Sequence, residues 1–415
     1  FVRINERMAE TNGLYAADHL GKTVREVLPD LADQAERALR RVLDGEEIRG
    51  LEISGETPAN PGGLSIEVFD DLRDLLEVLR FCELEAHLAR DARVRPPLER
   101  RLVGGLLVLR QVQEGTRMVH SASQMRQELD EIHVDIGVLF PDHFLKMPVI
   151  SQVDYASALA RAYNAWLLEE WCSPENGLLG CILACPQDPV DAAREIEKYS
   201  GERGMVGVFL PCAGLERLWG HRQYDPIFEA AQAADLPVLM HSVTVIHPVF
   251  PFNTQGFETE FGRHICSHTF SIMANLVHMI TTGVPVRYPD LRIAVTEAGI
   301  SWVPFLMHKM DKEYIERRRE VPFLEDKPST YLKQMYFATQ PVEEPENLSD
   351  LVTMLNLYDG EDNTIFASDW PHHDFDHPSK VHQIPFTNEV RRKVFGENAL
   401  RLFNIDAGGN RLGVR

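Results

Sequence analysis

No stretch of the 415 residues is apolar for long enough to cross a bilayer as a helix. The uninterrupted run at 102–109 has eight residues, two of them glycine, against the roughly 20 that a membrane-spanning helix needs. Cysteine is scarce, six in the whole chain and none in a C-x-x-C pair. Cys181 and Cys185 stand inside an apolar run, so the thiols read as reduced core residues of a cytoplasmic protein. Positive charge is in deficit: 42 Lys and Arg against 63 Asp and Glu leave a net charge of -21. That balance repels nucleic acid and anionic membranes and excludes both as partners. No glycine-rich phosphate loop follows any strand-like segment, which removes the commonest signature of nucleotide binding. No signal peptide opens the chain, and it starts at Phe1 without a methionine, so further residues of the gene product are expected upstream.

What is present suffices for a large core, with 44% hydrophobic residues and a mean hydropathy of -0.21. Residues 1–62 read as short helices, then a helix with Ala35, Leu39, Val42 and Leu43 on one face, then a strand at 48–54. Pro58, Pro61, Gly62 and Gly63 read as a linker. Val68, Leu72, Leu75, Leu76 and Leu79 then recur at helical spacing, so 63–117 is expected to be a helical connector. From Met118 the rhythm becomes strand, loop, helix, repeated. Strands are expected at 134–140, 179–184, 206–210, 237–241, 292–297, 335–338 and 364–368, with helices at 191–199, 224–234, 270–282 and 348–357. Ser121 and Gln124 suggest a capping box. This alternation over nearly three hundred residues points to an α/β protein with a parallel sheet, a (β/α)8 TIM barrel at 118–405 lacking or replacing its first strand, followed by a tail at 406–415. A doubly wound open sheet is the alternative.

Chemistry-bearing residues gather at strand ends. Leu236-Pro237-Val238-Leu239-Met240-His241 stops in an imidazole, and Thr364-Ile365-Phe366-Ala367-Ser368-Asp369-Trp370-Pro371-His372 stops in a carboxylate. Period-2 geometry sets Asp369 on the face of Ile365 and Ala367, at the inner lip where barrels do their chemistry. Divalent ions take imidazole nitrogen and carboxylate oxygen, which makes His241 and Asp369 candidate metal ligands. A lone histidine at a strand end is otherwise a hydrogen-bonded rim residue, and a lone aspartate a helix cap. Glu297, at the next strand end, either moves a proton or pairs with backbone amides or an arginine. His372 is a candidate substrate contact, and Trp302 and Trp370 are candidate pocket walls or ordinary packing. His247, His264, His268 and His278 read as mainly structural, with His268 a helix cap.

Two resemblances follow from these motifs. Phe1-Val2-Arg3-Ile4-Asn5, Asn12-Gly13, Gly21-Lys22-Thr23-Val24 and Glu26-Val27-Leu28-Pro29 resemble the middle of a PAS sensory domain, a partial one at 1–62. From about residue 115 to 403 the chain resembles the amidohydrolase superfamily, in the branch of aminocarboxymuconate semialdehyde decarboxylase and related aromatic acid decarboxylases. The matching pieces are Val134-Asp135-Ile136-Gly137-Val138-Leu139-Phe140, Tyr224-Asp225-Pro226-Ile227-Phe228-Glu229-Ala230-Ala231, the run ending at His241, Tyr288-Pro289-Asp290-Leu291-Arg292-Ile293, and Ala367-Ser368-Asp369-Trp370-Pro371-His372. This resemblance implies a distorted (β/α)8 barrel with one divalent metal ion, zinc or manganese, His241 as fifth-strand ligand, and Asp369 as eighth-strand ligand and proton carrier. The family's first strand normally ends in two ligands one residue apart, His-x-His or acidic-x-His; no such pair is expected ahead of Met118, and His19, His87, His120 and His133 read as solitary. Decarboxylating relatives often carry a catalytic histidine at the sixth strand, where this chain has Glu297.

The expected function is therefore that of a metal-dependent decarboxylase or hydrolase acting on a small carboxylated substrate, aromatic ones included. The alternative is a catalytically impaired fusion serving as a small-molecule binding or regulatory protein. Members of the branch are often homodimers, and the proline-rich segment at 341–345 offers a contact surface.

Overall fold

The expected strands become a sheet because their apolar runs are buried on both faces. In a computed structural model, residues 51–57, 60–68, 119–141, 143–243, 256–372 and 374–412 are described. The chain divides into two units, Phe1–Val112 and Gln113–Arg415.

In the first unit, β1 (Leu51–Thr57) and β2 (Asn60–Val68) form an antiparallel hairpin with Leu51 opposite Val68 and Ile53 opposite Ile66. The strand expected at 48–54 is thus present, but the expected linker is not. Pro61, Gly62 and Gly63 lie inside β2, as do the first residues of the expected helical connector. Pro61 is next to the strand's first residue, where a missing N–H costs little. The rest of the PAS-like segment and of the connector lies outside the described residues.

In the second unit seven strands run parallel and pair strictly in chain order. They are β3 (Gly137–Leu139), β4 (Leu178–Leu183), β5 (Met205–Pro211), β6 (Val238–His241), β7 (Ile293–Val295), β8 (Tyr336–Ala338) and β9 (Thr364–Ile365). Every residue of β4, β5 and β6 is buried, as expected for strands with helices outside and a packed interior. A doubly wound sheet reverses its order at a switch point. Here the order never reverses, so the sheet curls one way into a TIM-barrel fold. Among the described residues β3 and β9 are its two edges.

The α-helices of six or more residues among those described are α1 (Ala122–Glu131), α2 (Val153–Trp166), α3 (Pro189–Tyr199), α4 (Asp225–Ala233), α5 (Glu260–Thr281), α6 (Val303–Arg317), α7 (Ser349–Leu357) and α8 (Asn398–Phe403). Ser121 Oγ accepts from Gln124 N at 3.2 Å, while the Gln124 side chain accepts from His120 N rather than from the cap itself. Helix α5 starts ten residues before the expected 270. Its first turns carry Arg263, His264, Ser267 and His268 where an apolar stripe would have signalled a helix.

The C-terminal segment expected to be a tail is part of the barrel wall. Arg411 is buried, and its guanidinium donates to Ser200 O at 2.5 Å and Ala234 O at 3.0 Å, the carbonyls just past α3 and α4. A cation there also meets the negative ends of two helix dipoles. Arg411→Ala leaves these carbonyls without their donor and should cost about 2–3 kcal/mol, read as a lowered urea midpoint at unchanged slope.

Candidate metal centre

The C-terminal ends of β6, β7 and β9 converge, and each delivers a titratable side chain. His241 ends β6 and is buried between the rings of Phe209 and Phe140, with centroids 5.5 and 6.1 Å away. Its Nδ1 lies 2.6 Å from Ser242 O, a contact that requires Nδ1 to carry the proton. Its Nε2 lies 2.7 Å from Glu297 Oε2. Burial acts to lower this imidazole's pKa, but the Glu297 carboxylate, with Asp369 and the Ser242 carbonyl, overcomes it and leaves it raised.

Glu297 stands two residues beyond β7 with φ 52°, in the left-handed region that disfavours side chains. Three contacts hold that turn. Thr296 N donates to Met240 O at 3.0 Å. Trp302 Nε1 donates to Ala298 O at 2.7 Å. Glu343 Oε1 accepts from Ser301 N at 2.8 Å. Gly299 is needed here, because its φ is +67° and a Cβ would come within 2.6 Å of Glu343 Oε1. The Glu297 carboxylate is shared between two imidazoles, His241 and His268, whose Nε2 is 3.2 Å from Oε1. Burial acts to raise its pKa, yet the two histidines hold it well below the usual carboxylate range. For His268 burial wins, and its pKa is lowered to about 4. Glu297 is therefore ionised, while its charge biases His241 toward the protonated form and burial biases His268 toward the neutral one.

Asp369 follows β9, whose regular pairing stops at Ile365. The alternation expected to place its side chain ends four residues early, and a left-handed backbone, φ 58°, presents the carboxylate instead. Its Oδ2 accepts from Gln340 Nε2 at 3.2 Å and faces His372 Nδ1 at 3.0 Å. Burial and the neighbouring Glu297 charge push its pKa up to about 7, against the pull of His372 and His241.

One donor atom each from Glu297, Asp369 and His372 lies within 4.8 Å of the other two, the one such group among the described residues. His241 joins them through Glu297. A buried carboxylate, Glu297, and a partly buried one, Asp369, with imidazole nitrogen beside them form a donor set that fits a divalent cation of the manganese or zinc kind. The other expected site residues fall elsewhere. Trp302 is buried edge-to-face against Phe337 at 5.9 Å, with its indole N–H committed to the Glu297 turn. Trp370 packs on the cluster under α1 formed by Met125, Leu129 and Leu178. His268, expected to be structural, is instead in contact with Glu297. The signal available was its spacing from His264, four residues earlier on α5; their rings are 4.9 Å apart. Gln340 gave no sequence signal.

Two acidic-x-His triplets do stand in the first third of the chain, Glu85-Ala86-His87 and Glu131-Ile132-His133. The first lies outside the described residues. The second precedes β3, at the end of the strand remote from the site, with Glu131 and His133 both exposed.

The Amidohydrolase family profile matches residues 109–405, most of the chain. The chain belongs to the amidohydrolase family. A PAS fold profile matches residues 1–69. This amidohydrolase is 24% identical over 269 residues to gamma-resorcylate decarboxylase of Polaromonas sp., covering 60% of this chain and 78% of the relative. Its fold matches the crystal structure of 5-carboxyvanillate decarboxylase from Sphingomonas paucimobilis with a TM-score of 0.57 at 24% identity, covering 68% of this chain and 82% of that one. It also matches a dihydroxybenzoic acid decarboxylase from Polaromonas sp., solved with bound manganese and 2-nitroresorcinol, with a TM-score of 0.57 at 20% identity over 69% and 87% of the two chains. No helix among the described residues of this amidohydrolase is long and apolar enough to cross a membrane.

Proposed function

We propose that this amidohydrolase is a metal-dependent decarboxylase of small aromatic carboxylic acids, with His241 and Asp369 at the metal site. The observation that carries the reading is the convergence of Glu297, Asp369 and His372 at strand ends, with His241 joined through Glu297. The decarboxylase relatives supply the substrate class. A divalent ion, when bound, would supply positive charge to orient the substrate's oxygens and polarise its ring.

The side chains account for the proton. In decarboxylation the bond from ring carbon to carboxyl carbon breaks, its electron pair stays on the ring carbon, and a proton must replace the departing CO2. Asp369, with a pKa near 7, is matched to carrying that proton at neutral pH. Gln340 and His372 both engage Oδ2, leaving Oδ1 as the atom to deliver it. Glu297 stays ionised, and its charge keeps the Asp369 proton bound until the ring carbon takes it. Phe140, partly exposed beside His241, provides apolar surface for a ring, with the fully buried Phe209 packed behind the imidazole.

The test is CO2 release from 2,6-dihydroxybenzoate and 5-carboxyvanillate by protein loaded with manganese, with a chelated control. Release that depends on the metal is expected. Absence of turnover on a panel of hydroxylated benzoates, with hydrolysis of aryl esters or amides instead, would move the protein to hydrolase chemistry. No observation favours the impaired binding protein over an enzyme, since the strand-end donors are present together, Glu297 buried and Asp369 and His372 partly so.

Metal binding should strengthen with pH. A carboxyl whose pKa is about 7 carries a proton at pH 6 and has released it at pH 8, and a cation binds the released form more tightly. Apparent affinity should therefore rise up to about tenfold per pH unit below 7 and level off above it. Calorimetry at pH 6, 7 and 8 in two buffers of different ionisation enthalpy reads both the trend and the proton released.

A further inference from the structure

We infer that the cation is held by Glu297, Asp369 and His372 together with His241, so that the turns after β7 and β9 supply the donors that an amidohydrolase ordinarily takes from its first strand. This rests on the metal-dependent reading above and changes its ligand set, in which Glu297 and His372 otherwise serve proton transfer and substrate contact.

Geometry supports the assignment. Donors on one ion with bonds of about 2.1 Å lie at most about 4.2 Å apart. The three donor atoms here are within 4.8 Å of one another, so a few tenths of an ångström of side-chain motion brings them onto one centre. Gln340 already fixes Asp369 Oδ2 from the β8 side. His372 Nδ1 lies on that same oxygen, three residues along the same turn, close enough to move onto an ion without moving the backbone.

Charge supports it too. Glu297 and Asp369 are carboxylates at the ends of β7 and β9, on either side of β8, with little exposure, 9% and 14% for their side chains. A dication between them neutralises both, whereas a dication beside only one leaves the other buried with a like-charged neighbour. No cysteine belongs to the group, which favours oxygen- and nitrogen-preferring ions such as Mn²⁺ and Zn²⁺ over Cu⁺. With β6 as the fifth strand β3 is the second, and among the described residues no strand pairs with its outer edge; β3 itself runs out into Phe140, which packs against His241 as a ring, and Glu131 and His133 are exposed at its other end.

The test uses the full chain, stripped with a chelator and titrated with Mn²⁺. Free ion is followed by electron paramagnetic resonance, and bound imidazole nitrogens are counted by spin-echo modulation. The wild type should bind one Mn²⁺ with two nitrogens coupled, from His241 and His372. His372→Ala should bind at least tenfold more weakly with one nitrogen, and Glu297→Gln at least tenfold more weakly with two. The double variant Glu85→Gln/His87→Ala should match the wild type in both readouts. Wild-type affinity in both Glu297→Gln and His372→Ala, or loss of binding in the 85/87 variant, overturns the ligand assignment while leaving a metalloenzyme. No Mn²⁺ or Zn²⁺ bound by the wild type overturns the metal-dependent reading as well. Should Glu297→Gln fail to fold, the nitrogen count decides: two in the wild type falling to one in His372→Ala supports the assignment, and an unchanged count overturns it.

Discussion

Asp369→Asn should lower kcat by about 10³-fold, within the range for loss of a positioned proton carrier, with the thermal midpoint unchanged or raised at pH 8. The first half follows from chemistry: asparagine keeps the shape and the contacts with Gln340 and His372 but holds no transferable proton. The second half follows from the sign of the shift. The folded protein holds the Asp369 proton up to about pH 7, whereas an unfolded aspartate releases it near 4. Between those values the native state binds more protons, so the stability linked to this group falls as pH rises and stays low above 7. An amide removes that penalty. A large loss of stability together with activity would mean that Asp369 is a structural member of the strand end, and unchanged turnover would remove it from the reaction. Steady-state kinetics and scanning calorimetry at pH 6 and 8 check both halves.

Glu297→Ala should do the opposite, costing stability as well as activity. Its carboxylate is the shared partner of two buried imidazoles. Removing one member of a buried ionic group leaves the others uncompensated, at a cost of about 3–5 kcal/mol. His241 would then lose the charge that keeps its pKa raised and fall back toward the neutral form that burial favours. Glu297→Gln keeps the volume and one hydrogen bond, so its stability loss should be clearly smaller while turnover still falls by about 10²-fold. Denaturant midpoints for the two variants give the ordering, and equal midpoints would show that the carboxylate's charge is not what the pocket relies on.

Much of the barrel was legible because buried parallel strands announce themselves as apolar runs between helices. All seven strands in the second unit coincide with expected segments, and His241, Glu297 and Asp369 were visible as polar residues standing where those runs stop. The way each is presented was not legible. Strict alternation points Asp369 inward only if the strand continues to it, and β9 ends at Ile365; the left-handed turns at 297 and 369 leave no mark in residue type, since neither is glycine. His268 was missed for a related reason: the first turns of α5 face the site with polar side chains, which suppresses the apolar period that marks a helix. Gln340 and Arg411 act through contacts from distant parts of the chain, which no local pattern reports. In the hairpin, proline and glycine read as a linker because the pairing of β2 with β1 is not visible from its own residues.

The turns after β7, β8 and β9 are laced together by two carboxylates that never enter the reaction. Glu343, beyond β8, accepts from Ile300 and Ser301 beyond Glu297. Asp376, beyond β9, accepts from Val342 N at 2.6 Å, while its own N–H goes to Ser368 O at 2.8 Å. Perturbations in this chain of contacts should be epistatic: a lesion at Glu343 and one at Asp376 disconnect the same mechanical link, so the second should do less harm in the presence of the first than alone. Selection for a wider or narrower mouth would then have to alter these three loops in concert.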